Sequence, residues 1–317
     1  MLPLTPLRPF NAELMLGVWV MLFLVFALSL ATGFVSKRPS TSERSQLREQ
    51  VTSWWWLLPP VFAAWGIYPL GVSVLALLIS ALAALELTAL STPLRMQGLR
   101  WRFVGLWSVQ VSAWALDAEL PLAALMFGFA CVMHQIWRDR GFGLRPGNGR
   151  TSAERREALL LALFAVQVAG IACLLALPPP NMSLDVAAAW FLYLCVVTAL
   201  NDIGQFLVGK RFGRHRLAVS ISPHKTWQGL GGGLLFSAVV SVWVGRSLGL
   251  ASVPWLLCMG LVLCVAGLLG DLLFSAGKRA LQIKDYGQLI PGHGGILDRV
   301  DSLIATAPVL LIALRWV

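Results

Sequence analysis

The chain has 317 residues, of which 57% are hydrophobic and only 13% are charged, and its formal net charge is +10. A soluble domain carries about twice that charged fraction, so the composition excludes a purely soluble fold. Several apolar runs approach or exceed the roughly 20 residues that cross a bilayer as a helix. The sequence therefore predicts an all-α, polytopic integral membrane protein with about nine to ten transmembrane helices.

The candidate spans follow the apolar runs in chain order. They cover approximately residues 14–35, 54–67, 71–90, 103–116, 120–137, 159–177, 186–208, 230–246, 253–274 and 303–316. We interpret the first as a retained span rather than a removed signal peptide, because only Arg8 precedes it and no small-residue cleavage site follows. The five cysteines lie singly inside apolar runs with no CxxC spacing, so we interpret them as buried thiols.

Positive charge is concentrated in alternate connections between these spans. The connections 36–53, 91–102, 138–158, 209–229 and 275–302 hold all but three of the 25 lysines and arginines. Positive charge stays on the cytoplasmic side of a membrane. The long loops are therefore predicted to face the cytoplasm and both termini the outside. The net positive charge therefore indicates membrane topology rather than binding of nucleic acid. Binding of anionic lipid or substrate is a second role for these cations.

Two features of the N-terminal half have open interpretations. The cluster Trp54-Trp55-Trp56 beside a charged loop is typical of an interfacial aromatic belt, and an aromatic stacking platform is the alternative. Glu86 lies inside the third span near its cytoplasmic end. An intramembrane carboxylate is a functional candidate by default, but Glu86 is equally well placed to pair with Arg95 at the interface.

Polar residues become frequent from residue 186 onward. Asp202 lies in the cytoplasmic third of its span, and a strongly cationic loop follows. This loop contains Ser222-Pro-His-Lys-Thr226 directly before the glycine-rich helix start at 229–233. Hydroxyls, a lysine and free N–H groups at a helix N-terminus suit phosphate oxygens. The alternative is an ordinary positive-inside loop with a Ser-Pro turn.

The stretch 271–301 combines acidic and basic residues around a glycine-rich turn. It holds four carboxylates and four cations, with one histidine: Asp271, Asp285, Asp298, Asp301, Lys278, Arg279, Lys284, Arg299 and His293. Ser275, Lys278 and Arg279 follow Asp271 at helical spacing, so they share one face if the ninth span extends inward. Asp298 and Asp301 also share a face, and one of them is expected to cap the last helix.

These residues predict a site for a metal ion and phosphates. Glu86, Asp202 and Asp271 lie at similar depths in three spans, and a buried carboxylate is costly unless it is paired or bound to metal. Oxygen ligands, many cations and the lack of cysteine pairs indicate magnesium with substrate phosphates rather than zinc. Such a site suits phosphoryl or nucleotidyl transfer.

Residues 275–301 resemble the signature of the phosphatidate cytidylyltransferase (CDP-diacylglycerol synthase) family. The family pattern is a serine, Lys-Arg, Lys-Asp, Pro-x-His-Gly-Gly and Asp-Arg-x-Asp, and it is met by Ser275, Lys278-Arg279, Lys284-Asp285, Pro291–Gly295 and Asp298–Asp301. The run 222–229 and the step 270–272 are also similar, so the likeness covers about 185–310. The chain departs from the family at Phe274, at Gly277 and at Gln205-Phe206, which leaves the lipid acceptor open and fits a divergent paralogue.

The resemblance implies transfer of CMP from CTP to phosphatidate, with CDP-diacylglycerol and pyrophosphate as products. It implies a homodimer in a bacterial inner membrane, with a magnesium-dependent site at the cytoplasmic face and a monovalent cation as an optional second ion. It divides the chain into N-terminal helices, 1–184, and a catalytic region, 185–317. Three alternatives stay open: transfer to another lipid phosphate or a polyprenol, ion-coupled transport, and an inactive scaffold.

The resemblance also implies roles for individual residues. Asp271 and Asp285 are expected to bind the metal. The residues expected to take part in catalysis are Asp202, Lys225, Lys284, His293 and Asp298. Those expected to bind CTP or lipid phosphates are Ser222, Thr226, Ser275, Lys278, Arg279, Gly294, Gly295, Arg299 and Asp301.

Overall fold

The computed structural model describes residues 58–91, 96–116, 152–177, 182–287 and 294–315. Several sequence predictions fall outside these described residues. They are the spans 14–35 and 120–137, the tryptophan cluster 54–56, Arg95 and His293.

The described chain is built from seven bounded helices and one two-stranded hairpin. They are α1 Leu70–Ala89, α2 Met96–Leu116, α3 Ser152–Leu175, α4 Leu184–Phe212, β1 Arg216–Ala218, β2 Ser222–Thr226, α5 Trp227–Ser247, α6 Val253–Leu281 and α7 Leu297–Leu314. Residues 58–66 are also helical and lead through a short turn into α1.

Five of these helices are long and apolar enough to cross a membrane: Leu70–Ala89, Arg156–Leu175, Leu184–Phe212, Trp227–Ser247 and Val253–Leu281. The protein is thus a mostly helical integral membrane protein, and the predicted total of nine to ten spans stays a prediction. In α3 and α4, 72% of the most apolar window is buried, against 39% in α5. Helices α3 and α4 therefore form the centre of the bundle, and α5 lies at its edge.

Helices α4 to α7 run alternately up and down. Gly209 lies opposite Gly229 where α4 meets α5, and Gly260 lies opposite Ser241 where α5 meets α6. Helices α4 and α6 have 29 residues each, which is about 43 Å and exceeds the roughly 30 Å of a hydrocarbon core. The C-terminal ends of α4 and α6 and the N-terminal ends of α5 and α7 therefore meet at one end of the bundle.

Glycines allow α4 and α5 to pack closely. A β-carbon on Gly229 would lie 2.8 Å from the carbonyl oxygen of Gln205, and one on Gly209 would lie 3.1 Å from Thr226 Oγ1. Small residues of this kind let helix backbones approach each other in membrane proteins.

The hairpin between α4 and α5 departs from the all-α prediction. Its strands are antiparallel, with Arg216 opposite Thr226. The backbone N–H of Trp227 donates to the carbonyl oxygen of His215 at 3.0 Å, and Gln228 Oε1 accepts from the N–H of Arg214 and of His215. Because α4 and α5 are in contact, the connecting chain must reverse direction in a short distance, and pairing with itself satisfies its backbone groups.

Candidate active site

Three aspartates from three helices converge at this end of the bundle. Asp202 lies on α4, Asp271 on α6 and Asp301 on α7, and Asp271 is within electrostatic range of the other two. Asp202 and Asp271 each lie ten residues before the end of their 29-residue helix. The approach of α6 to α7 depends on Gly270, where a β-carbon would lie 2.8 Å from Ala305 Cβ.

The hairpin places a lysine on this aspartate cluster. Lys225 Nζ on β2 lies 2.6 Å from Asp271 Oδ2, and 19% and 28% of the two side chains are exposed. The Ser275 hydroxyl donates to Asp271 Oδ1 at 3.1 Å. Two further cations lie within electrostatic range of the cluster, Arg299 near Asp202 and Lys278 near Asp301.

A buried ion pair forms a second cluster beside the first. Lys278 Nζ on α6 lies 2.7 Å from Asp298 Oδ1 on α7, and only 4% of the Asp298 side chain is exposed. Asp298 Oδ2 accepts from the backbone N–H of Tyr286 and of Gly295, both at 3.0 Å. Asp298 therefore joins the end of α6, the following loop and the start of α7. The N-cap residue of α7 is Ile296, so neither Asp298 nor Asp301 has the capping position expected for one of them.

Asp285 lies next to this ion pair. A β-carbon on Gly294 would lie 2.9 Å from Asp298 Oδ2 and 3.2 Å from Asp285 Cβ. Gly294 also has a φ of +80°, in the left-handed region that favours glycine. Lys278 lies within electrostatic range of Asp301, so it links the ion pair to the three aspartates. The two predicted metal ligands therefore belong to adjoining clusters at the same end of the bundle.

Tyr286 fills the space behind the ion pair. Its hydroxyl donates to the carbonyl oxygen of Phe274 at 2.7 Å, and the two rings pack edge to face with centroids 6.0 Å apart. A β-carbon on Gly277 would lie 2.5 Å from that hydroxyl. Burial raises the pKa of the Tyr286 phenol, and nearby aspartates raise it further, so it stays a neutral donor. Two departures from the family pattern, at residues 274 and 277, thus belong to one packing unit.

A cavity of about 760 Å³ opens beside the aspartate cluster, between α4, the hairpin, the start of α5 and α6. This volume lies within the range of small-molecule sites. Two aspartates and four cations are among the lining residues. The charged lining residues are Asp202, Asp271, Lys210, Arg214, Arg216 and Lys225. Such a mixture suits a polyphosphate bound together with a metal ion.

A model of the cytidylyltransferase family matches residues 48–317. The chain belongs to this family. The match covers every helix described above, and it confirms the resemblance found in the sequence.

The chain is also similar to individual members of known name. It is 41% identical to the uncharacterized protein YnbB of Escherichia coli (strain K12) over 157 residues, which are 50% of this chain and 51% of that protein. It is 29% identical to a phosphatidate cytidylyltransferase of Mycobacterium bovis over 203 residues, covering 61% and 63% of the two chains. With the phosphatidate cytidylyltransferase of Bacillus subtilis (strain 168) it shares 42% identity over 123 residues, covering 38% and 45%. Each of these alignments spans less than two thirds of the relative's length.

The structure brings most of the predicted site residues to one end of the bundle. Those that line the cavity are Asp202, Ser222, Lys225, Thr226 and Asp271. Those that adjoin it through the two clusters are Ser275, Lys278, Asp285, Gly294, Gly295, Asp298 and Asp301. Their roles in binding or catalysis stay predictions.

Other predicted residues have different surroundings. The Thr226 hydroxyl accepts from the N–H of Gly229 at 3.0 Å and so caps α5 in addition to lining the cavity. Arg279 donates to the carbonyl oxygen of Ile221 at the tip of the hairpin. Lys284 is exposed on the turn after α6, and Arg299 is exposed near the start of α7.

Glu86 was expected to lie with Asp202 and Asp271, but its hydrogen-bond partners are elsewhere. Its carboxylate accepts hydrogen bonds from the backbone N–H of Ile296 and of Leu297. Asp202 and Asp271 do meet, and Glu86 instead contacts the start of α7.

The described residues fit a magnesium ion held partly by substrate. Within these residues, no group of three His, Cys, Asp or Glu side chains is close enough to hold a metal by itself. Magnesium is usually bound through one or two carboxylates plus water and substrate phosphates. Asp271, with Asp202 and Asp301 beside it, offers such oxygen donors next to a cavity large enough for phosphates.

Several residues of the cavity were not assigned to the site from the sequence, although Gln205 and Phe206 were noted there as departures from the family pattern. Gln205, Phe206, Gly209 and Lys210 follow Asp202 at three, four, seven and eight residues, and all line the cavity. This helical spacing is visible in the sequence and would have placed them on the Asp202 face. No comparable signal exists for Arg214 and Arg216, because their position depends on the hairpin.

Proposed function

We propose that the protein is an enzyme that transfers CMP from CTP to phosphatidate, forming CDP-diacylglycerol and pyrophosphate for phospholipid synthesis. The observation that carries this proposal is the cavity in which Lys225 meets Asp271, inside a chain of the cytidylyltransferase family. The relatives from Mycobacterium bovis and Bacillus subtilis are named phosphatidate cytidylyltransferase, which describes the same reaction.

The cationic lining of the cavity is suited to the triphosphate of CTP. Lys210, Arg214 and Arg216 come from the end of α4 and the hairpin, opposite Asp271 on α6. They would hold the phosphates and offset the charge of the departing pyrophosphate. Ser222 would add a hydroxyl donor at the same wall.

The reaction needs no covalent intermediate on the protein. A phosphate oxygen of phosphatidate would attack the α-phosphorus of CTP, the bond from that phosphorus to the bridging oxygen of the β-phosphate would break, and pyrophosphate would leave. The protein's task is then to align attacking and leaving oxygens and to neutralise charge. Lys278 and Arg279, at the end of α6, are proposed to position the lipid phosphate.

We propose magnesium as the cofactor, with Asp271 and Asp285 as ligands and a monovalent cation as an optional second ion. A bound divalent ion lowers the charge repulsion between two phosphate groups and stabilises the leaving oxygen. Lys225 forms an ion pair with Asp271 at 2.6 Å, next to the proposed ligand position. We further propose a homodimer in a bacterial inner membrane, as the family resemblance implies, with the cavity open to the cytoplasm. The charge distribution between the loops supports this orientation.

The assay uses purified protein in liposomes with α-³²P-labelled CTP, magnesium and phosphatidate. Labelled CDP-diacylglycerol is the expected product, and EDTA should abolish its formation until magnesium is restored. A parallel reaction contains a polyprenyl phosphate in place of phosphatidate. Turnover with that acceptor alone would replace phosphatidate as substrate, and no turnover with either lipid would refute the proposal.

A different lipid acceptor is the second candidate. It is favoured by the packing of Tyr286 between Phe274 and Gly277, because this unit supports Lys278, whose Nζ lies 5.7 Å from the centroid of the Tyr286 ring. Because Lys278 is a proposed ligand of the lipid phosphate, a change in the residues that pack behind it would alter which lipid acceptor is preferred.

A further inference from the structure

Glu86 connects the N-terminal half of the chain to the start of α7. It lies on α1 and is 6% exposed. Its Oε1 accepts a hydrogen bond of 2.7 Å from the N–H of Ile296, and its Oε2 accepts one of 3.3 Å from the N–H of Leu297. These partners are more than 200 residues away in the sequence, so the contact is wholly tertiary.

This carboxylate supplies a cap that α7 lacks locally. Ile296 is the N-cap residue of α7 and offers no side-chain hydrogen bond. The first N–H groups of a helix need acceptors, and its N-terminal end favours a negative charge. Glu86 meets both requirements from another helix.

Two glycines admit the Glu86 carboxylate. A β-carbon on Gly287 would lie 2.7 Å from Oε1, and one on Gly295 would lie 2.5 Å from Oε2. Gly295 donates its N–H to Asp298, and so does Tyr286, the residue before Gly287. Gly295 therefore contacts both carboxylates, and Gly287 and Leu297, which also contact Glu86, are next in sequence to Tyr286 and Asp298.

We propose that Glu86 is a positioning residue for the transfer reaction. It fixes the backbone at residues 295–297, which holds Asp298, and Asp298 in turn holds Lys278 at 2.7 Å. This inference rests on the proposed function, because the reaction that Glu86 would serve is the proposed CMP transfer. The contact of Glu86 with residues 295–297 does not depend on which reaction the protein catalyses.

The first test measures hydrogen exchange, which needs no activity. Glu86→Gln keeps the size of the side chain but presents one oxygen where two are needed, so one N–H loses a charge-assisted bond. We expect amides in 294–300 to exchange about tenfold faster, while α5 is unchanged. Gln167→Met is the matched control, because it removes a similarly buried interhelical bond, 3.0 Å to Ser80, between α3 and α1 rather than at the start of α7. Unchanged exchange at 294–300 in Glu86→Gln would overturn the inference.

The second test separates positioning from general destabilisation. Gly287→Ala is expected to displace the Glu86 carboxylate without removing it. Each single variant should lower turnover about tenfold, and the double variant should be no worse than either, because both act through one contact. Gln167→Met combined with Gly287→Ala should show additive effects instead.

The outcomes distinguish the two proposals. Normal turnover by Glu86→Gln in an active preparation overturns the positioning role and leaves the proposed function intact. Additive losses of turnover in the double variant Glu86→Gln, Gly287→Ala have the same meaning. If the wild-type protein shows no turnover, the proposed function is overturned, and with it the role of Glu86 in that reaction. Faster exchange at 294–300 in Glu86→Gln would then support only the structural contact between Glu86 and the start of α7.

Discussion

Asp285 is the exposed member of the two acidic clusters. It lies beside Gly294 and Asp298, and it is exposed on the loop after α6. A carboxylate in that position is available to a bound metal, whereas Asp298 is already engaged by Lys278 and two backbone N–H groups. The two neighbouring aspartates are thus suited to different tasks.

Replacing Asp285 should separate activity from folding. We expect Asp285→Asn to lower turnover at least 100-fold, because loss of a metal ligand removes transition-state stabilisation, while the melting temperature changes little. Asp185→Asn is the matched control, because Asp185 lies in the first turn of α4, at the end of the bundle away from the cavity. It should keep turnover near the wild-type level. Near-normal activity of Asp285→Asn would contradict the metal assignment.

Gly277 and Tyr286 form a pair that can be tested by a double substitution. Gly277→Ala places a methyl group against the Tyr286 hydroxyl, and overpacking of this kind costs about 1–3 kcal/mol. Tyr286→Phe removes the hydroxyl, so Gly277→Ala should be less harmful in that background. Thermal unfolding of the four proteins measures the coupling, and strictly additive shifts in melting temperature would show that the two residues do not interact.

At the scale of elements, the hairpin and the glycine contact between α4 and α5 shape the cavity. Three residues separate the end of α4 from the hairpin, and the hairpin ends directly before α5. Its position therefore depends on how closely these two helices pack, and Lys225 reaches Asp271 only if that packing is kept.

Two neighbouring glycines of α5 test this dependence. A β-carbon on Gly229 would meet backbone atoms of α4, including the carbonyl oxygen of Gln205, whereas one on Gly231 would meet no atom within 4 Å. Gly229→Ala should lower the melting temperature and turnover together. Gly231→Ala should be neutral or slightly stabilising, because alanine favours helix by about 1 kcal/mol over glycine. Equal effects of the two substitutions would contradict the packing account.

The elements show what the sequence could predict and what it could not. The apolar runs predicted the spans that are described, because length and hydropathy decide which segments cross a bilayer. The shared helical face expected for Asp271, Ser275 and Lys278 required the helix to continue beyond the apolar run, and α6 does continue to Leu281. The hairpin was missed because its strands have only three and five residues, too few for an alternating pattern to be visible.

Tertiary partners were beyond the reach of the sequence. Glu86 was expected to act at the site or to pair with Arg95, which lies outside the described residues, and the structure instead places its carboxylate on the N–H groups of Ile296 and Leu297. Backbone N–H groups exist at every residue except proline, so no pattern distinguishes these two as partners. The pairing of Lys278 with Asp298 is similar, because four cations and four acids in one stretch allow many pairings.

For the molecule as a whole, the charged residues of the site mark one end of the bundle. The hairpin, Asp202, Asp271 and Asp298 all lie there, and the turn between α5 and α6 lies at the other end. Transport is disfavoured by this arrangement, because an ion pathway needs charged groups near the middle of the bilayer.

The orientation of the bundle can be tested with two single cysteines. In a variant without native cysteines, Val219→Cys lies at the exposed tip of the hairpin and Ser252→Cys lies exposed at the start of α6. A membrane-impermeant maleimide should label residue 219 only from the cytoplasmic side and residue 252 only from the outside. The reverse labelling would contradict the orientation.

The central claim is that the aspartate cluster and Lys225 hold CTP for transfer of CMP to a lipid phosphate. The most direct measurement is the formation of labelled CDP-diacylglycerol from CTP and phosphatidate by wild-type protein and by Asp271→Asn, each reconstituted in the same liposomes with magnesium. We expect steady product formation by the wild type and a loss of at least 100-fold in Asp271→Asn at equal amounts of folded protein. Comparable product formation by the two proteins would contradict the account.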